Sequence, residues 1–199
     1  MSLDQHGIEF RDEDWYGDDL GAAVFTDCTF TEVDFSEAQT RGARFTDCTF
    51  HNCRFNASVH DSTAFVGCDF RRTNFFDAVF TACKLTGSNF SECTLRPIKV
   101  LGGQWRGVGL RGANLSKLNL SGVDLRESDL SLADLRTTDL RDAQLDGVTL
   151  QGAQLEGADL RGASLDRVDL TAASIRGLQL DLTGAVLLAE LHGVVVDTA

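Results

Sequence analysis

From Phe10 to Leu180 a large apolar residue stands at every fifth position with no insertion or deletion, and only Thr40 and His60 break the series. Phenylalanine holds most of these places up to Phe90, and leucine takes over from Leu110. A five-residue period fits neither an amphipathic helix at 3.6 nor a strand at 2. It specifies a repeat whose units bury their apolar side only by stacking on one another. Each unit reads small, polar, large centre, polar, and then often Gly, Asp or Glu, as in Ala153-Gln154-Leu155-Glu156-Gly157 and Ala158-Asp159-Leu160-Arg161-Gly162. Two inward positions in five, the centre and the small residue two before it, make one short side and one corner. Glycine at the corner tolerates the positive φ of a tight turn.

The six cysteines are even in number and accompanied by four histidines, so a disulfide or zinc framework has to be weighed. Their register argues against it. Cys28, Cys48, Cys53, Cys68, Cys83 and Cys93 all stand two residues before a centre, where other units carry Ala, Val, Ser or Thr. There a free thiol serves as a small buried hydrophobe.

Repeats of this A(D/N)LXX kind resemble the pentapeptide repeat family. The resemblance implies an all-β fold, a right-handed quadrilateral β-helix with twenty residues per coil. Residues twenty apart would then stack at roughly 4.8 Å, giving ladders such as Phe30, Phe50, Phe70, Phe90 in a rod about 40 Å long. Thr40 and His60 would be neighbours in one ladder, between Leu20 and Phe80. They either satisfy each other by a buried hydrogen bond or mark a side that opens outward. Pro97, the only proline, lacks the ladder donor, so the stretch Leu95–Val100 is expected to be the weakest or most bent part of the rod.

The pentad stops at Leu180. Residues 1–9 read as an N-terminal tail, 10–180 as the solenoid, and 181–199 as a C-terminal cap and dimerisation segment with a short helix, Thr183 serving as N-cap and Gly193 as the stop. Val186, Leu187, Leu188 and Leu191 offer more apolar surface than a short helix buries alone. Some should cover the last coil, and the rest suggest a two-fold homodimer, with Val194-Val195-Val196 able to add a strand at the junction.

A net charge of −12 disfavours direct nucleic-acid binding and favours a basic protein partner. Nothing approaches a membrane span or a signal peptide, so a cytoplasmic protein is expected. No catalytic, cofactor, metal or small-molecule site is expected either, because Ser, His and Asp occupy outward repeat slots with no loop to assemble a pocket. The expected function is binding.

Further segments, Phe10-Arg11-Asp12-Glu13-Asp14, Arg41-Gly42 with Cys48-Thr49-Phe50, Cys83 through Leu95-Arg96-Pro97, and His192-Gly193, resemble the MfpA-like fluoroquinolone-resistance branch of the family and, more distantly, the Qnr branch. This implies a loopless, C-terminally dimerised rod that mimics duplex DNA and binds DNA gyrase, inhibiting it or protecting it from quinolones. Charge qualifies the mimicry. A dimer would carry −24 over roughly 80–90 Å, about half the charge of a duplex of that length. Half the excess lies in residues 1–20, where Asp4, Glu9, Asp12, Glu13, Asp14, Asp18 and Asp19 face only Arg11. Of these, Asp12, Glu13, Asp14, Asp18 and Asp19 are candidates for partner contact, or alternatively a solvated cap that keeps an open coil from stacking on another. Tyr16 and Phe76, apolar residues in polar slots of one face, are either contact residues or scattered surface aromatics.

Overall fold

The computed structural model describes residues 3–197, and its strands are all parallel, each paired with the strand twenty residues on. Gln5 pairs Phe25, Phe10 pairs Phe30, Thr40 pairs His60, and isolated bridges carry the same register to Asp159 and Gln179. The chain is thus a β-solenoid with four centres per coil. The first coil starts earlier than the pentad implies: Asp4–His6 is a strand paired with Val24–Thr26, so much of the stretch expected to be a tail belongs to the rod.

Corners fall two residues after each centre, and eighteen non-glycine residues there hold positive φ, among them Leu132 and Thr137. The left-handed conformation costs such residues roughly 1–2 kcal/mol. The cost is met because most corner N–H groups reach the next coil, as in Thr137 to the carbonyl of Glu156 at 3.0 Å.

Inside the N-terminal half the rings stack up the rod and meet edge to face within a coil. Phe30 lies 4.7 Å from Phe50 at 6°, whereas Phe30 meets Phe35 at 5.5 Å and 66°. Both arrangements suit the ring quadrupole, which explains why neighbouring ladders can all be aromatic at once. The thiols at the inward small positions are free, all but Cys93 are buried, and each donates to a backbone carbonyl, as Cys53 does to Phe30 at 3.4 Å. Burial pushes the Cys53 thiol up to about 12 and those of Cys83 and Cys93 to about 11, far from the range of reactive thiolates. Among the described residues no group of His, Cys, Asp and Glu could hold a metal.

Thr40 and His60 do not open a side of the rod. Both are buried and bonded to each other, the first of the two arrangements the sequence allows.

At Pro97 the ladder is interrupted. Elsewhere a centre's N–H bonds the carbonyl nineteen residues ahead, as in Phe75 to Thr94 at 2.9 Å and Leu110 to Asp129 at 2.9 Å. Leu95 and Asn114 make no such bond, and neither do Asn114 with Cys93, Asn119 with Ile98, or Gly102 with Ser121. Nor does any bridge join Thr94 to Asn114 or Lys99 to Asn119. Two of the four sides are therefore unzipped between adjacent coils, at the point where phenylalanine centres give way to leucine. Trp105 fills the core at this seam beside Gly103.

A 3-10 turn at Leu170–Ala172 loosens the last full coil, and helix α1 (Leu182–Leu191) follows. Its N-cap is Asp181 rather than Thr183. The Asp181 carboxylate accepts from the N–H of Gly184 and from that of Gly162, each at 2.9 Å, so one side chain both starts the helix and ties it to the coil below. Gly193, at φ +78°, ends it as the sequence suggests, with Gly193 N–H bonding Glu190 and Val194 N–H bonding Ala189. Residues 194–196 form no strand.

Candidate functional site

The described residues include no helix long and apolar enough to cross a membrane. What the rod offers is surface, and its charge is sorted by position. On the flat sides Asp and Arg stand one before and one after the same centre, two residues apart and pointing the same way. Asp134 holds Arg136 through two bonds, Nε to Oδ1 at 2.8 Å and Nη2 to Oδ2 at 2.7 Å, and Asp124–Arg126, Asp139–Arg141 and Asp159–Arg161 repeat the geometry. The guanidinium bond holds each of these four carboxyls below the usual carboxylate range. These four acids of the C-terminal half's flat sides are thereby neutralised locally, whereas Asp129, Asp146 and Glu156, in flat slots of the same half, hold no arginine.

The corners are different. Among the positive-φ residues stand nine acids, Asp12, Asp27, Glu32, Glu37, Asp47, Asp77, Glu92, Glu127 and Asp142, against Arg72, Lys117 and Arg167. Arg106 holds Glu127 at 2.7 Å and His6 lies 3.7 Å from Asp27. The other seven make no ion pair with a lysine or arginine. All but Asp142 and the paired Glu127 lie between residues 12 and 92. Register aligns them in rows along the rod: Asp12 with Glu32, Asp27 with Asp47, and Glu37 with Asp77 two coils on.

Of the five acids singled out near the N-terminus, the structure brings Asp12, Glu13 and Asp14 together in a shallow groove with Glu32, Asp34, Asn52 and Arg54. Asp18 and Asp19 lie round the next corner and do not join it. Asp14 and Asp19 also have local work, accepting from the N–H of Tyr16 at 3.1 Å and of Gly21 at 3.0 Å. Sequence reasoning missed Asp34, a flat-side acid one before Phe35 that Arg54 holds at 2.8 Å, and it missed Glu32 and the corner acids beyond Asp12. For the corner acids the available signal was their place two after a centre, the slot whose side chain nothing in the coil can cover. Tyr16 and Phe76 share one side and are both about half exposed.

At the other end the four apolar candidates divide. Leu187 and Leu188 pack against the core and Val186 is half-buried, whereas Leu191 is exposed. More exposed still are Leu182 at 81%, which the sequence reading did not single out, and Val195 at 95% with Val194 beside it, which that reading placed at the junction as a strand.

The sequence profile of pentapeptide repeats matches residues 106–142, 138–177 and 150–187, eight copies in all. The chain is a pentapeptide repeat protein. Its phenylalanine-centred residues 12–95 also match the profile of the SV2A/B/C luminal domain, so the two matches lie on either side of the seam beside Pro97. Two trypsin-treated forms of QnrB1, a plasmid-mediated fluoroquinolone resistance protein, have the same fold. Their TM-scores are 0.86 and 0.87, each at 20% identity over 99% of this chain and 99% of theirs. No curated protein sequence matches the chain significantly. The similarity to the MfpA-like branch rests on the sequence features alone.

Proposed function

We propose that this pentapeptide repeat protein is a DNA-mimicking rod that binds DNA gyrase in the cytoplasm, inhibits it, and shields it from fluoroquinolones, acting by binding and not as an enzyme. The observation that carries the reading is the rows of unpaired acids on the corners of a rod whose flat sides are largely neutralised by their own arginines. A groove built for a duplex meets negative charge in lines along two ridges, and acidic corner rows present charge in that form. The spacing of about 4.8 Å between stacked coils and the interruptions by Gly, Ala, Asn and Arg leave it less densely charged than DNA. QnrB1, whose fold this rod shares, is a fluoroquinolone resistance protein, which supports the same direction. The working form would be a homodimer joined through the exposed apolar residues of the C-terminal segment, which doubles the length of the mimic.

Purified protein added to a gyrase supercoiling reaction tests the proposal. Inhibition, or loss of quinolone-stabilised cleavage, is expected. No effect on either, together with no binding to either gyrase subunit, sinks it. The alternative is a pentapeptide repeat scaffold for another cytoplasmic protein, since one fold serves many functions. Capture of an unrelated partner, with gyrase absent from the captured material, would favour that reading.

A further inference from the structure

The two ends of a β-solenoid pose the same problem, because each exposes a ladder edge and a plate of core side chains on which another rod could continue. Here they are handled differently. At the C-terminal end helix α1 lays Leu187 and Leu188 over the core. At the N-terminal end Asp4–His6, Glu9–Arg11 and Asp19–Gly21 are edge strands with no described strand beneath them. Phe10 stacks on Phe30 at 5.0 Å, and Phe10, Trp15 and Leu20 are only half-buried.

We infer that Glu13 and Asp18 guard this end against end-to-end stacking with a second copy of the chain, by placing charge in the inward slots of the edge coil. Register identifies the slots. Above Glu13 come Val33, Cys53, Thr73, Cys93, Ala113, Ala133 and Ala153, and above Asp18 come Ala38, Ser58, Ala78, Ile98, Leu118, Thr138 and Ala158. Every one of those is uncharged, and Val33 and Ala38 immediately above are sealed, at 0% and 1% exposure. Glu13 and Asp18 are exposed although their backbones are locked in the ladder, their carbonyls accepting from Asp34 at 3.0 Å and Gln39 at 2.8 Å. A coil added beneath would seal both carboxylates into an apolar core with no base to meet them, and the ionised form pays a heavy desolvation cost there. The other two inward slots of the edge coil, Leu3 and Ile8, are apolar and exposed, so the plate would otherwise be adhesive. The residues themselves carry this conclusion, whatever precedes Leu3.

The test separates slot from charge. In a background carrying Leu191→Glu and Val195→Glu, so that C-terminal association is not read, Glu13→Val with Asp18→Ala installs the residues found one coil higher. Sedimentation velocity should then show concentration-dependent species at two or more times the background mass, and electron micrographs should show rods lengthened end to end. The near-isosteric pair Glu13→Gln with Asp18→Asn, which changes neither size nor shape, should also associate. Asp12→Asn with Asp19→Asn removes the same two charges from outward slots of the same coil and should leave sedimentation unchanged. The inference is overturned if both inward pairs sediment like the background, or if the outward pair associates as strongly as they do.

Discussion

His60 lies wholly inside the rod with its Nδ1 2.7 Å from the hydroxyl of Thr40, its neighbour one coil down. The surrounding bonds assign the proton. Ser58 donates to the carbonyl of Phe55 at 2.7 Å, so it accepts from His60 Nε2–H at 2.9 Å; Nδ1 then accepts from Thr40, whose oxygen takes the single Thr63 hydroxyl proton at 2.8 Å in preference to the longer Thr63 contact with the Asp61 carbonyl at 3.2 Å. Burial pushes the imidazole down to about 3. As pH falls below the unfolded value of about 6.5 the unfolded chain takes the proton first. This contribution to stability is therefore complete above that pH and is lost as pH falls toward 3. Denaturant titrations between pH 6.5 and 5, above most carboxylate titration, should lose up to about 1.4 kcal/mol per pH unit. In a Thr40→Leu, His60→Phe variant, which restores the apolar series, that slope should flatten. Thr40→Val alone should cost about 1–3 kcal/mol, because it leaves Nδ1 buried without a donor.

Gly103 and Trp105 are one packing unit. A Cβ at Gly103 would stand 2.6 Å from the Cys83 carbonyl and 3.1 Å from the indole Nε1, at a φ of +132° that other residues avoid. The small slot before a centre must shrink to nothing to admit the one tryptophan sealed in the core. Gly103→Ala should destabilise the protein by roughly 2–4 kcal/mol, whereas Gly102→Ala, one residue earlier with nothing within 4 Å, should cost about 1 kcal/mol. Urea denaturation of the two variants, followed by circular dichroism, checks the difference.

The unzipped seam makes its own prediction about dynamics. Amides of Leu95, Gly102, Asn114 and Asn119 have no partner in the neighbouring coil, while those of Trp105, Gly107 and Leu110 bond across the same interface on the other two sides. Hydrogen exchange should be fastest, within the core of the rod, on the two sides that carry Pro97, and protected on the other two. Uniform protection across all four sides would contradict the interrupted ladder.

The pentad made the rod legible because one position in five decides the inside of every coil, from Phe10 to Leu180. It also placed the cysteines before any coordinate did. The failures are local and have physical causes. Asp181-Leu182-Thr183 offers two residues able to cap α1, and what selects Asp181 is its second bond to Gly162, nineteen positions back on the coil below and invisible along the chain. Pro97 announces a missing donor, but the loss of bonds as far away as Asn119 follows from how two coils separate. The corner acids were legible in principle. They were overlooked because charge was summed along the chain, whereas the solenoid sums it along rows twenty residues apart.

The C-terminal candidates divide into cap and contact, and mutation should separate the two. Leu187→Asp puts a charge against the last coil and should lower the thermal midpoint in the monomer itself. Leu191→Glu with Val195→Glu alters exposed positions, so it should leave the monomer's folding unchanged while abolishing any self-association seen by light scattering. Loss of the dimer in neither variant would refute the proposed interface.

Corner acids and side acids give the most direct test of the mimicry, because they differ in what neutralises them. Asp27, Glu32, Asp47 and Asp77 have no lysine or arginine partner, while Asp134 and Asp139 each hold an arginine at 2.7 Å. Neutralising the four corner acids to Asn and Gln removes charge that a basic groove would meet, and at about 0.5–1 kcal/mol for each exposed charge binding to gyrase should weaken by roughly 30-fold or more. The loss should shrink as salt rises. Replacing Asp134 and Asp139 by Asn frees their arginines and changes the net charge by half as much. Under the corner reading it should weaken binding far less than half the corner effect, measured as the inhibitory concentration in the supercoiling reaction. Equal loss per charge in the two sets would mean that gyrase responds to total acidity and that the corner rows have no special part in recognition.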